Sequence, residues 1–528
     1  MVDRVEVRET HISWVFLAGD RAYKLKKPLV LPFVDYRTAR RRGAMCREEV
    51  RLNRRLAPDV YLGVRAVVSG PDGLQLADED AAHAVDYVVE MRRYDEIQTL
   101  AARLERGELG RGDVARVGRL LARFHGRADP ARAGDRPAHA VERRITANLT
   151  ELLAVVQQRA ELEQTLGLER FFHAFVTAHA GLLNARARGG AIRDGHGDLR
   201  AEHVLLSRKL QIVDCLEFDR ALREVDVAED LAFLVMDLTA LGGERFAQAL
   251  VRAYRNAGGD PGDDRLIAFY AAHRALVRAK VSLLRAAQEP AASSAQGHQS
   301  AIARDLLALA ERFCWRARLP LAIVVCGVPA TGKTSLARAL SRVAGLPHIS
   351  SDVTRKQLAG VTSTKPAGPA SYTERFSKLT YAKLGRRAAK EMTVHGGVVV
   401  DATFRHRADR DAFSEALGDD TPALFVECRA PVRVLADRAR RRDDQPGEHV
   451  SDAMLAIVLR ESAVWDPLDE LRPEAHVTLR SDRPVDSQLA DLRALLDRRI
   501  GLLGPPGQVA ATDQACGNPP MCDDARSA

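Results

Sequence analysis

Apolar and polar positions follow different rules on the two sides of residue 319. Near the start, Ile12-Ser13-Trp14-Val15-Phe16-Leu17 and Ala22-Tyr23-Lys24-Leu25-Lys26-Lys27 flank Ala18-Gly19-Asp20-Arg21. Two β-prone runs around a Gly-Asp turn predict a hairpin. A charged helical pattern fills 37–56, and a second strand pair is expected at 60–69 and 84–92. Residues 97–188 repeat apolar positions at helical spacing, as in Val117, Leu120, Leu121 and Phe124. Two short strand-like runs follow, Val204-Leu205-Leu206 and Gln211-Ile212-Val213, and helical patterning returns from 227 to about 316. A small β-rich head and a large helical body predict an α+β, bilobal domain.

From 319 the texture changes. Leu321-Ala322-Ile323-Val324-Val325-Cys326 is continuously apolar and rich in β-branched residues, as a buried parallel strand should be. Further strands are expected at 348–350, 398–401, 424–427 and 475–479, each separated from the next by helical segments. That alternation predicts a doubly wound α/β domain. The tail from 501 has no apolar period and is expected to be disordered. The predicted organisation is therefore multidomain, with boundaries at 1–318, 319–500 and 501–528.

Composition narrows the class. The chain has 528 residues, 46% apolar and 28% charged, which is ordinary for a globular protein of several domains. No apolar run approaches the roughly 20 residues of a membrane span, and the start, Met1-Val2-Asp3-Arg4-Val5-Glu6, has no apolar leader core. The seven cysteines form no C-x-x-C pair, so neither a zinc site nor a disulfide framework is expected. A reducing cytoplasm is the expected setting. The net charge of +8 leaves nucleic acid as a less favoured partner: only 11 of the 79 basic residues are lysine, as codon bias would produce.

Gly327-Val328-Pro329-Ala330-Thr331-Gly332-Lys333-Thr334 matches G-x-x-x-x-G-K-[ST]. Such a loop curls its backbone N–H groups around a phosphate at a helix N-terminus. Lys333 is expected to bridge the β- and γ-phosphates of ATP, and Thr334 to offer a hydroxyl to Mg²⁺. Asp352 and Arg355, in Ser350-Ser351-Asp352-Val353-Thr354-Arg355, follow the second strand. A carboxylate there can take a hydroxyl proton, and the arginine can hold phosphoryl oxygens. Val398-Val399-Val400-Asp401 ends in an acid suited to Mg²⁺. Arg438 and Arg442, four apart, share a helix face and can close on the phosphates. Together these motifs resemble small P-loop kinases of the polynucleotide-kinase, gluconate-kinase and chloramphenicol-phosphotransferase type. The resemblance implies that Asp352 activates the acceptor hydroxyl. It also implies that Arg410 and the 360–375 insert, with Tyr372, border that acceptor.

A second constellation lies upstream. His196-Gly197-Asp198-Leu199-Arg200-Ala201-Glu202-His203 precedes Ile212-Val213-Asp214. Two-lobed kinase chemistry needs an acid to receive the acceptor proton, a metal ligand five residues on, and a second acid after a short strand. The pattern resembles the H-G-D-x-x-x-x-N and I-D motifs of aminoglycoside phosphotransferases and choline kinases. Asp226-Val227-Ala228-Glu229-Asp230-Leu231-Ala232 matches a loop-buttressing motif of that family. The resemblance implies Asp198 as base, Asp214 as metal ligand and Glu49 as the helix partner of a phosphate lysine. Lys24 and Lys26 both qualify, and the Tyr-x-Lys spacing of that family favours Lys26. Two departures stand out: His203 replaces the usual Asn at the metal position, and no Gly-rich loop precedes Lys24.

The domain order, with Thr10-His11-Ile12-Ser13-Trp14-Val15-Phe16 and Asp214-Cys215-Leu216-Glu217-Phe218-Asp219, resembles a bacterial family of fused proteins. In that family an aminoglycoside-phosphotransferase-like domain precedes an ATP-binding domain. The expected function is ATP- and Mg²⁺-dependent phosphoryl transfer to the hydroxyl of a small molecule. The alternatives are a polynucleotide 5′-hydroxyl kinase and a non-catalytic ATP-binding regulator.

Overall fold

In the computed structural model the chain divides into two units. One runs to Leu319 and the other begins at Pro320, with Val343–Gly345 grouped with the first. Residues 5–10, 12–31, 34–71, 73–131, 137–362, 368–418, 420–443 and 464–500 are described, with backbone only at Pro369 and 440–443. The expected tail, 501–528, lies outside them.

Alternation in the first hundred residues builds a six-stranded antiparallel sheet. Its order is Val5–Glu9, Ser13–Ala18, Arg21–Lys26, Asp86–Arg92, Tyr61–Gly70 and Gly73–Ala77. The predicted hairpin is present, with Gly19 turning it at φ 61°. The two outermost strands were not expected from sequence. They are exposed along almost their whole length, so no buried face marks them. Helix Ala39–Asn53 begins where the Thr38 side chain accepts the Arg41 N–H. It buries Cys46 and Val50 against Leu17, Ala22, Val64 and Val89 of the sheet.

Nine helices among the described residues make up the rest of this unit, from Leu100–Glu105 to Ser294–Ala317. Between them lie two short antiparallel ladders, Val204–Leu205 with Gln211–Ile212 and Ile192–Asp194 with Glu224–Asp226. These ladders frame the segments that carry Asp198 and Asp214.

All five strands expected beyond 319 are present, and every pairing is parallel. Their order is His348–Ser350, Gly397–Asp401, Leu321–Cys326, Ala423–Arg429 and His476–Arg480. Each residue of the central strand is buried, which explains its unbroken apolar run. Asp401 pairs with Val325 on one side and Ser350 on the other. Three strand ends are thereby level at the edge where parallel sheets bind ligands.

Candidate functional site

The phosphate loop leaves the central strand at Gly327 and enters helix Lys333–Ala344. Gly327, Ala330 and Gly332 have φ of 140°, 65° and 88°. A Cβ at Gly327 would meet the Cys428 carbonyl oxygen at 2.6 Å, so only glycine fits. Ala330 takes the left-handed conformation despite its side chain, a strain typical of ligand-binding turns. Thr331 Oγ1 donates to the Val328 carbonyl at 2.8 Å. Arg438 does not have its donors free for phosphate. It donates to the carbonyls of Thr331 at 3.1 Å and Ser481 at 2.7 Å, so the expected lid residue is a brace for the loop. The Arg442 side chain lies outside the described residues.

Asp401 is only 3% exposed, and its Oδ1 is buried without a hydrogen-bond partner. His348 Nε2 stands 3.7 Å from Oδ2. An orphaned buried carboxylate oxygen is costly, and a hard dication would satisfy it. Asp401, with the Thr334 hydroxyl at the start of the loop helix, therefore fits Mg²⁺. Asp352 lies in the first turn of helix Ser351–Leu358, whose N-cap, Ser350, makes no side-chain bond. Burial raises the pKa of its carboxyl above the ordinary value; Lys333 opposes this and Asp401 reinforces it.

Two arginines have partners that the sequence did not show. Arg355 is buried and donates to the Ser371 carbonyl and, at 3.3 Å, to Ser377 Oγ. Its guanidinium stands 4.9 Å from the centre of the Tyr372 ring. Through Nη1 it anchors the insert. Arg410 is 1% exposed and donates to the carbonyls of Phe404, Asp466 and Pro467 and to Glu470. It holds the turn after Asp401 from inside and does not border an acceptor.

In the first unit, Lys24 and Lys26 project from one strand toward Glu49, which is fully buried. Lys26 Nζ ends between Glu49, at 2.7 Å, and Glu217, with no exposure. Lys24 Nζ is 2.8 Å from Glu49 and 2.9 Å from Asp214. The expectation for Lys26 is thus corrected: Lys24 carries the amine that reaches the candidate metal residue. Burial acts against the Lys24 charge, but Asp214 and Glu49 outweigh it and raise its pKa. Lys24 in turn depresses the pKa of Asp214.

Asp214 has φ 63°, and its N–H donates to the Tyr61 hydroxyl at 3.1 Å. The segment carrying Asp198 is fixed from below by Asp230, whose two oxygens accept the N–H groups of His196 at 2.8 Å and Gly197 at 2.9 Å. Asp198, His203 and Asp214 offer ligand atoms that all lie within 4.8 Å of one another. Burial acts against the Asp198 charge, yet Arg200 and His203 keep its pKa below the usual carboxylate range.

Residues 323–468 match the family described as an AAA domain. Over 473 residues the chain is 35% identical to an uncharacterized protein of Mycobacterium tuberculosis (strain ATCC 25618 / H37Rv), covering 88% of this chain and 91% of that relative. An uncharacterized protein of Mycobacterium bovis gives the same figures. The chain belongs to their family. Among solved structures, a gluconokinase from Sinorhizobium meliloti 1021 is 26% identical, covering 35% of this chain and 97% of its own, at a TM-score of 0.27. A choline/ethanolamine kinase family protein from Mesorhizobium loti is 17% identical, covering 58% and 92%, at a TM-score of 0.32. In this family member, sequence reasoning missed Glu217, Tyr61 and Arg200. Arg200 was the most accessible to it, as a cation two residues from Asp198. No described helix is long and apolar enough to cross a membrane.

Proposed function

We propose that the protein transfers the γ-phosphoryl group of ATP to a hydroxyl of a small molecule, chiefly in the P-loop unit beyond Pro320. The observation that carries this reading is the placement of Asp352. Its carboxyl is half-buried in the first turn of its helix, feels the charges of Lys333 and Asp401, and caps no helix. The acceptor hydroxyl gives its proton to Asp352 as its oxygen bonds to the γ-phosphorus. The bond from that phosphorus to the bridging oxygen breaks, and ADP leaves. Lys333 and the loop N–H groups hold the charge that develops on the phosphoryl oxygens. Mg²⁺, held by Asp401 and Thr334, would supply charge neutralisation on the nucleotide. The unit up to Leu319 is read as an aminoglycoside-phosphotransferase-like module, with Lys24 and Glu49 toward nucleotide phosphates and Asp198 as its base.

The test is a screen of hydroxyl-bearing acceptors with labelled ATP and full-length protein. Lys333→Ala should lose most turnover, and Asp198→Asn should keep most of it. Asp352→Asn should keep ATP binding and lose about 10²–10⁴-fold in transfer, the usual contribution of a general base. Transfer at the wild-type rate by Asp352→Asn would refute the assignment. ATP binding with no transfer to any acceptor would favour the regulatory alternative.

A further inference from the structure

The ligand atoms around Asp214 are not those of a magnesium site. They come from two carboxylates and one imidazole. Mg²⁺ prefers oxygen donors and binds imidazole reluctantly, whereas first-row transition dications accept it. The ring of His203 is set up as metal-binding histidines are. It is 9% exposed, and its Nδ1 is 2.8 Å from the Asp198 carbonyl oxygen. A carbonyl only accepts, so Nδ1 carries the hydrogen. Such a bond to the far nitrogen orients a ligating imidazole. Nε2 therefore presents its lone pair, 3.7 Å from Asp214 Oδ2. Asp214 has a left-handed backbone, sparsely populated outside glycine though tolerated by aspartate, and Lys24 Nζ, 2.9 Å from Oδ1, holds its carboxylate in place.

A cation already stands on these donors. Arg200 Nη2 is 3.1 Å from His203 Nε2, and Arg200 Nε is 3.3 Å from Asp198 Oδ2. The guanidinium thus engages two of the three groups that a metal would use, and a metal must displace it.

We infer that the Asp198–His203–Asp214 site selects a first-row transition dication over Mg²⁺ through direct coordination by His203 Nε2, with Arg200 occupying the donors until the ion arrives. The inference rests on reading this unit as a nucleotide–metal module. Its readout is coordination, so failure to find an acceptor for the P-loop unit leaves it standing.

The experiment uses the full chain carrying Asp401→Ala, which removes the carboxylate ligand of the P-loop unit, and Mn²⁺ without nucleotide. Mn²⁺ should bind once, with nitrogen modulation from a bound imidazole in pulsed electron paramagnetic resonance. His203→Asn should abolish that modulation and weaken Mn²⁺ by about tenfold or more, as loss of a ligand contact does, while sparing Mg²⁺. Arg200→Ala should tighten Mn²⁺ several-fold. Binding seen only in Arg200→Ala protein, with the nitrogen signal, would also support the inference. Bound Mn²⁺ without nitrogen coupling would overturn it, as would equal losses of Mn²⁺ and Mg²⁺ in His203→Asn. So would no Mn²⁺ binding by Arg200→Ala protein that retains its wild-type circular dichroism.

Discussion

Lys24 and Lys26 are two residues apart on one strand and share the same glutamate, yet a substitution at each should report different physics. Lys26 neutralises Glu49 and Glu217 where no water reaches. Lys26→Met strands the buried Glu217 and leaves Glu49 to Lys24 alone, and should destabilise the first unit by about 3–5 kcal/mol, read in chemical denaturation. Lys24 keeps 14% of its side chain exposed, and its loss leaves Glu49 paired to Lys26. Lys24→Met should therefore cost less stability and show mainly as weaker nucleotide binding by that unit. Equal destabilisation by the two would contradict the separation. Asp352 supplies a pH test. Its folded pKa lies above the ordinary value, so ionisation at neutral pH works against folding. Asp352→Asn should be more stable than wild type near pH 7. The gain should vanish as pH falls below the unfolded carboxyl range, about pH 4. A gain that grows toward acid would reverse the sign and refute the burial argument.

Among the elements, helices Glu374–His395 and Arg407–Leu417 approach closely at Gly385. A Cβ there would meet the Phe413 carbonyl oxygen at 2.4 Å and the Ala416 Cβ at 2.9 Å. The second helix also carries Phe413, which packs on Phe404 beyond Asp401. Gly385→Val should cost about 1–3 kcal/mol through overpacking. It should lower the melting temperature of the P-loop unit, and an unchanged melt would mean that the helices part freely. Elements of this kind were unevenly legible in the sequence. The strand Leu321–Cys326 announced itself because burial on both faces demands an apolar run. Val5–Glu9, an edge strand open to solvent, imposed no such demand. Arg410 was read toward the acceptor because its partner, Glu470, is distant in sequence and nothing local marks the pairing. The choice between Lys24 and Lys26 depends on which amine lies over Asp214, a residue brought close only by the fold.

At the scale of the whole molecule, the division at Leu319 coincides with a change in patterning that the sequence carries openly, from hairpin and helices to strands alternating with helices. What patterning cannot carry is the cation standing on candidate metal donors, as Arg200 does, since one arginine reads like another until its neighbours are known. The strand order of the P-loop unit also bears on biosynthesis. The first strand made, Leu321–Cys326, lies in the middle of its sheet, and its pairing partners begin at Gly397 and Ala423. On a ribosome adding ~5–20 residues per second, that strand waits about 4–15 s for its first neighbour. During that interval the most apolar segment of the unit has no sheet to enter. The strand that delivers the phosphate loop is thus the nascent chain's point of greatest exposure to chaperones and to aggregation.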